Sequence, residues 1–87
     1  MGDKAPSVVT GVYQDLAIVR DHTRLVLADL SESCIKPILR WYSRRAREGE
    51  PLPYVQELTD GELSQMKDIG FVKLCKIRTA IDRYNVR

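Results

Sequence analysis

Apolar residues recur three and four positions apart in the first third of the chain, at Val9, Val12, Leu16, Val19, Val26 and Leu30, with Thr23 holding the same place in the series. That spacing gathers them on one side of a helix and predicts a long first helix over residues 7–30, with Ser7 as its N-cap and residues 1–6 as a short tail. Gly11 weakens the first turn by about 1 kcal/mol relative to alanine. Ile18 and Leu25 fall nearly opposite the seam, because successive helical residues turn by about 100°. They are either isolated surface apolars, which soluble proteins tolerate, or a second contact surface for a partner or a second copy of the chain.

Ser31 or Ser33 can cap a second helix running to about Glu48, which places Pro37 near its first turn, where a missing N–H costs little. Gly49 is a natural C-terminal stop, and Pro51 and Pro53 keep the following residues out of helical geometry, so residues 52–56 read as a short linker. Thr59-Asp60-Gly61-Glu62 has the spacing of a capping box and opens a third helix that buries Leu63, Met66 and Ile69. Gly70 is expected to end that helix at positive φ and to let Phe71 fold back onto the core. A fourth helix then resumes near Val72, with Leu74, Ile77, Ala80, Ile81 and Tyr84 inward and Lys76, Thr79 and Arg83 outward. The fold expected is all-α: one small bundle of about four helices over residues 7–87, with a long first helix and a C-terminal helical hairpin.

At 87 residues, with 44% hydrophobic and 30% charged residues, the chain reads as one globular domain with a thin core, to which a partner or second copy would add stability. No apolar run approaches the roughly 20 residues that span a bilayer. The first apolar run is broken by Asp15, Arg20 and Asp21, which argues against a signal peptide and for a cytoplasmic protein with Cys34 and Cys75 as reduced thiols. Two cysteines and the single His22 are too few for a four-ligand zinc site, so no metal or cofactor is expected. There is no glycine-rich phosphate loop or serine elbow either, and His22 as a lone histidine is a poor candidate for catalysis. The expectation is a non-enzymatic protein.

A net charge of +2 is too mild to signal nucleic-acid binding, but its distribution is uneven. Lys36, Arg40, Arg44, Arg45 and Arg47 occur without an intervening acid, followed by Glu48, Glu50, Glu57, Asp60 and Glu62. On the second helix Ile35, Leu39, Tyr42 and Ala46 share one side, whereas Lys36, Arg40, Arg44 and Arg47 gather within an arc of about 80° on another. Like charges so placed repel one another, which an anionic partner would relieve. The alternative is a solvated face paired with the acidic segment that follows. Trp41 and Arg45 border this face, where the indole either stacks on a base or packs between helices.

Residues 58–63, Leu-Thr-Asp-Gly-Glu-Leu, with Ile69-Gly70-Phe71 and the following helix, resemble a helix-turn-helix DNA-binding unit, although the gap between Leu63 and Gly70 is about two residues longer than usual. That resemblance offers Lys73, Lys76, Thr79 and Arg83 to DNA. The order Trp41, arginine cluster, residues 58–63 and Asp68-Ile69-Gly70-Phe71-Val72-Lys73 also resembles the YjiS-like small arginine-rich proteins of bacteria, over residues 38–77, with Ser64, Gln65 and Met66 inserted between the two halves of the motif. It implies a small regulatory protein binding RNA, with Trp41, Arg44, Arg45, Arg47 and Lys73 as contact residues.

Two functions are therefore expected to compete. In the first, nucleic acid, RNA or DNA, is bound through Lys36, Arg40, Arg44, Arg45 and Arg47, with Lys73, Lys76 and Arg83 as a second basic element. In the second, an interaction module or structural subunit docks through Ile18 and Leu25, as a homodimer or on another protein, and the arginines meet an acidic protein surface.

Overall fold

Val19, Thr23 and Val26 turn inward from the first helix as their spacing requires, and each is buried. A computed structural model describes residues 15–86, and over that span the regular structure is helical: α1 (Leu16–Val26), α2 (Glu32–Arg47), a 3-10 turn (Val55–Glu57), α3 (Asp60–Ser64) and α4 (Phe71–Asn85). Among the described residues there is no β-strand, and the chain is a small all-α bundle. The Ser7 cap, Val9, Gly11 and Val12 lie outside the described residues. α1 stops at Val26 rather than at Leu30, and Leu27, just past its end, is the fully buried apolar residue, while Leu30 is only half-buried.

α2 begins after Ser31, whose extended backbone makes it the N-cap although its hydroxyl bonds the Ser33 hydroxyl instead of a helix amide. Pro37 is consequently the sixth residue of α2 and lies in its second turn, beyond the expected first-turn position. Its ring is buried, so packing contributes where a hydrogen bond to the residue 33 carbonyl is missing. Gly49 ends α2 region at φ 74°, in the left-handed conformation that suits glycine.

α1 packs mainly on α2 and also touches the 3-10 turn and α4, while α3 packs on α4. The expected linker is not idle, because Leu52, Val55 and Leu58 are all buried in the common core. Tyr42 fixes it there: the ring is fully buried and the hydroxyl donates to the Pro53 carbonyl at 2.6 Å. Among the described residues no buried side-chain nitrogen or oxygen lacks a partner. His22 belongs to the same packing, hydrogen-bonded to Gln56 at 3.0 Å with its ring 4.6 Å from Tyr54 and 5.7 Å from Tyr84.

The capping box at the start of α3 is complete: the Glu62 amide donates to the Thr59 hydroxyl at 3.1 Å and the Thr59 amide to the Glu62 carboxylate at 2.9 Å. α3 is nevertheless only five residues long, and Met66 and Ile69 are buried from the loop beyond it. Gly70 does not carry the positive φ expected of it. Asp68 does, at φ 73°, while Gly70 has φ −93° and is the N-cap of α4. Asp is one of the few side chains that tolerates this region, so the turn closes two residues earlier.

Phe71 also departs from expectation, being 78% exposed rather than folded onto the core. As the first residue of α4 it sits about 80–180° around the helix from Ile77, Ala80 and Ile81. That stripe is as read, with Ile77, Ala80 and Ile81 buried and Leu74 and Tyr84 packed against the core. The six-residue connection between α3 and α4, residues 65–70, is longer than the three- or four-residue turn of a helix-turn-helix unit, and α3 is shorter than that motif's first helix.

Tyr42→Phe leaves the Pro53 carbonyl without its donor and is expected to destabilise the fold by about 1–2 kcal/mol in urea or guanidinium denaturation. Burial pushes the Tyr42 phenol well above its ordinary value of about 10, against a smaller opposing effect of the Thr23 hydroxyl. The folded state therefore keeps a proton that the unfolded chain loses, and stability falls as pH rises past about 10. Denaturation across that range should show a shallower decline for Tyr42→Phe than for the native chain. Thr59→Ala removes half of the capping box and is expected to cost about 1 kcal/mol in the same measurement.

Candidate anion-binding face

Because Ile35, Ile38, Leu39 and Tyr42 commit one side of α2 to the core, Lys36, Arg40, Arg44 and Arg47 are turned to solvent, as the helical wheel predicts. Arg44 and Arg47 lie in the last turn, where the partial negative charge of the helix C-terminus favours cations by about 0.3–1 kcal/mol. Lys36 and Arg40 lie too far from that end to benefit.

Two neighbouring grooves flank this row. The first, about 410 Å³, runs between α1 and α2 and is lined by Arg20, Arg24, Lys36, Arg40 and Arg47 with Leu39 and Ser43. The second, about 310 Å³, lies between α2 and the loop after α3 and is lined by Arg40, Arg44, Arg47 and Lys67 with Pro37, Trp41 and Met66. Arg40 and Arg47 belong to both grooves, and neither lining contains a carboxylate.

Carboxylates do reach the edges. Arg40 pairs with Asp68 at 3.1 Å and Arg24 with Glu32 at 2.9 Å, both pairs exposed. Among the described residues Arg20, Lys36, Arg44, Arg47 and Lys67 pair with no carboxylate. The acidic segment from Glu48 to Glu62 does not neutralise the row. Two of its members engage other cations, Glu50 against Arg45 at 3.8 Å and Asp60 against Arg78 at 2.8 Å.

Arg45 leaves the group to which its position in the sequence assigns it. Its guanidinium lies 4.7 Å from the centre of the Trp41 ring, its Nε donates to the Pro51 carbonyl at 3.1 Å, and Glu50 is its ion-pair partner. These contacts make Arg45 a brace between α2 and the segment after it. Trp41 is half-buried, edge-on to Tyr42 and packed against the core, yet it also lines the second groove. It serves as packing and as surface at once.

The other anticipated contact residues are elsewhere. Lys73 donates to the Asp68 backbone carbonyl at 3.0 Å, so it braces the α3–α4 loop. Lys76 and Arg83 line a separate groove of about 490 Å³ with Cys34 and Cys75, and Arg83 pairs with Asp29 at 3.5 Å. Cys34 is buried, Cys75 is exposed, and both are unbonded. Ile18 and Leu25 are 48% and 62% exposed on α1. Among the described residues no cluster of three His, Cys, Asp or Glu side chains is placed to hold a metal, and no helix is long and apolar enough to cross a membrane.

Arg20, Arg24 and Lys67 join the face without having been foreseen. Arg20 and Arg24 are four residues apart on α1, a signal of a shared helical side, but only the packing of α1 on α2 brings that side against the α2 arginines.

Asp68→Asn keeps a side chain that tolerates positive φ and removes the carboxylate that holds Arg40. Binding of an anionic oligomer to this face, followed by fluorescence anisotropy, should tighten by about two- to five-fold, because an exposed pair of this kind is worth less than about 1 kcal/mol.

No known protein-family model, curated protein or solved structure matches the chain, so the reading of this face rests on its own geometry.

Proposed function

We propose that this protein is a small, non-enzymatic regulatory protein that binds nucleic acid through the cationic face of α2 and the neighbouring side of α1. The observation that carries this reading is the pair of adjoining grooves that share Arg40 and Arg47 and contain seven different cations in all: Arg20, Arg24, Lys36, Arg40, Arg44, Arg47 and Lys67. Such crowding costs free energy in the isolated protein, and a chain of regularly spaced phosphates relieves it more completely than single ions do. Arginine dominates the set, and its planar fork matches phosphate oxygens in bidentate fashion. The resemblance of residues 38–77 to small arginine-rich bacterial proteins points in the same direction.

A competing reading makes the chain an interaction module that docks through α1, favoured by the exposure of Ile18 and Leu25 seven residues apart on one side of that helix. Paired substitutions separate the two. Arg40→Glu, Arg44→Glu and Arg47→Glu together should abolish retention of single-stranded and duplex oligonucleotides in a gel shift, while Ile18→Asp with Leu25→Asp leaves it intact. For the native chain the logarithm of affinity should fall with the logarithm of salt concentration with a slope of about −3 to −4, as expected for roughly five phosphate contacts on a single strand. Retention that survives the arginine substitutions and is lost with the α1 pair would overturn the nucleic-acid reading.

A further inference from the structure

The two grooves differ in chemistry. The groove between α1 and α2 is lined by cations, Ser43 and Leu39 and contains no aromatic side chain. The groove on the other side of the Arg40–Arg47 ridge has a floor in which the half-buried Trp41 is the accessible apolar side chain, flanked by the buried Pro37 and Met66, with cations around it. Pro37 and Met66 are themselves buried, so this floor is held by the core and does not depend on mobile surface side chains. Trp41 is steadied in the same way, by Arg45 at 4.7 Å from its ring and by Tyr42 at 5.3 Å. A charged groove beside a cation-rimmed aromatic floor, the two joined by shared arginines, suits a ligand in which phosphates alternate with planar apolar groups.

From this we infer that the face takes single-stranded nucleic acid, with phosphates in the α1–α2 groove and across the Arg40–Arg47 ridge, and one unpaired base seated against Trp41. The inference rests on the nucleic-acid reading above and adds the state of the strand and the seat of a base. Double-helical nucleic acid keeps its bases stacked inside and cannot place one in a groove of about 310 Å³, a volume near the lower end of small-molecule sites. Arg44 and Lys67 at the rim reach the phosphates on either side of that base, so the seat selects an unstacked base without reading its identity. Little preference between bases is expected.

Trp41 is the only tryptophan of the chain, so fluorescence excited beyond the tyrosine absorption band reports on this seat alone. The full chain is titrated with four probes: oligothymidylate and oligouridylate of about 12 nucleotides, within the span of small single-strand sites, a duplex of the same length, and linear polyphosphate of matched charge. Both single strands should quench Trp41 strongly and bind about ten-fold more tightly than the duplex, whereas polyphosphate binds at low salt without quenching. A difference between the thymidylate and uridylate arms reports a preference in the sugar or in the 5-methyl group of the base. Trp41→Phe, which retains an aromatic ring for packing, should keep most of the single-strand affinity, and Trp41→Leu should lose about ten-fold of it while polyphosphate affinity is unchanged. Should Trp41→Leu fail to fold, the quenching of the native chain still decides. Equal binding of single strand, duplex and polyphosphate, with no quenching specific to the single strands, overturns the base seat and leaves polyanion binding standing. Absence of binding by all four probes overturns both.

Discussion

Tyr42 is completely enclosed, so its hydroxyl must find an acceptor inside the protein, and it takes the Pro53 carbonyl from the segment between α2 and α3. That bond holds residues 51–58 against α2 and lets Leu52, Val55 and Leu58 enter the core. Thr23 on α1, buried beside it, satisfies its own hydroxyl within its helix by donating to the Val19 carbonyl at 2.7 Å. The polar groups at the centre are thus paired with the backbone, and the apolar groups around them fix how α1 lies against α2. The orientation of the cationic face follows, because the side of α2 that Tyr42 anchors determines the side that remains in water.

Most of the helical framework could be read from periodicity and caps. The inward stripe of α4, the seam of α1 from Val19 to Val26, the capping box at Thr59 and the stop at Gly49 depend on local chemistry, and local chemistry is written in the sequence. The turn between α3 and α4 is not legible in the sequence because a glycine usually claims the positive φ, whereas here Asp68 takes it and Gly70 serves to start the next helix. Pro37 was placed too early because two serines competed to begin α2 and the earlier one prevails.

The face itself was half legible. Lys36, Arg40, Arg44 and Arg47 follow from rotation about a single helix, which needs no tertiary information. Arg20, Arg24 and Lys67 come from other elements and join only through packing. Arg45 was assigned to the surface because it belongs to the same basic run, although its position four residues after Trp41 is the spacing at which a guanidinium meets an aromatic ring on a helix. The sequence contains that signal, but the run of positive residues around it masks its meaning.

Asp68 gives the cationic face a built-in competitor. Its carboxylate is tethered to the same molecule and lies against Arg40, so an anion that approaches Arg40 meets an acid already present at a high effective concentration. Under the proposed function, a polymer that engages several arginines at once could give up the Arg40 contact and still hold, which favours extended anions over short ones.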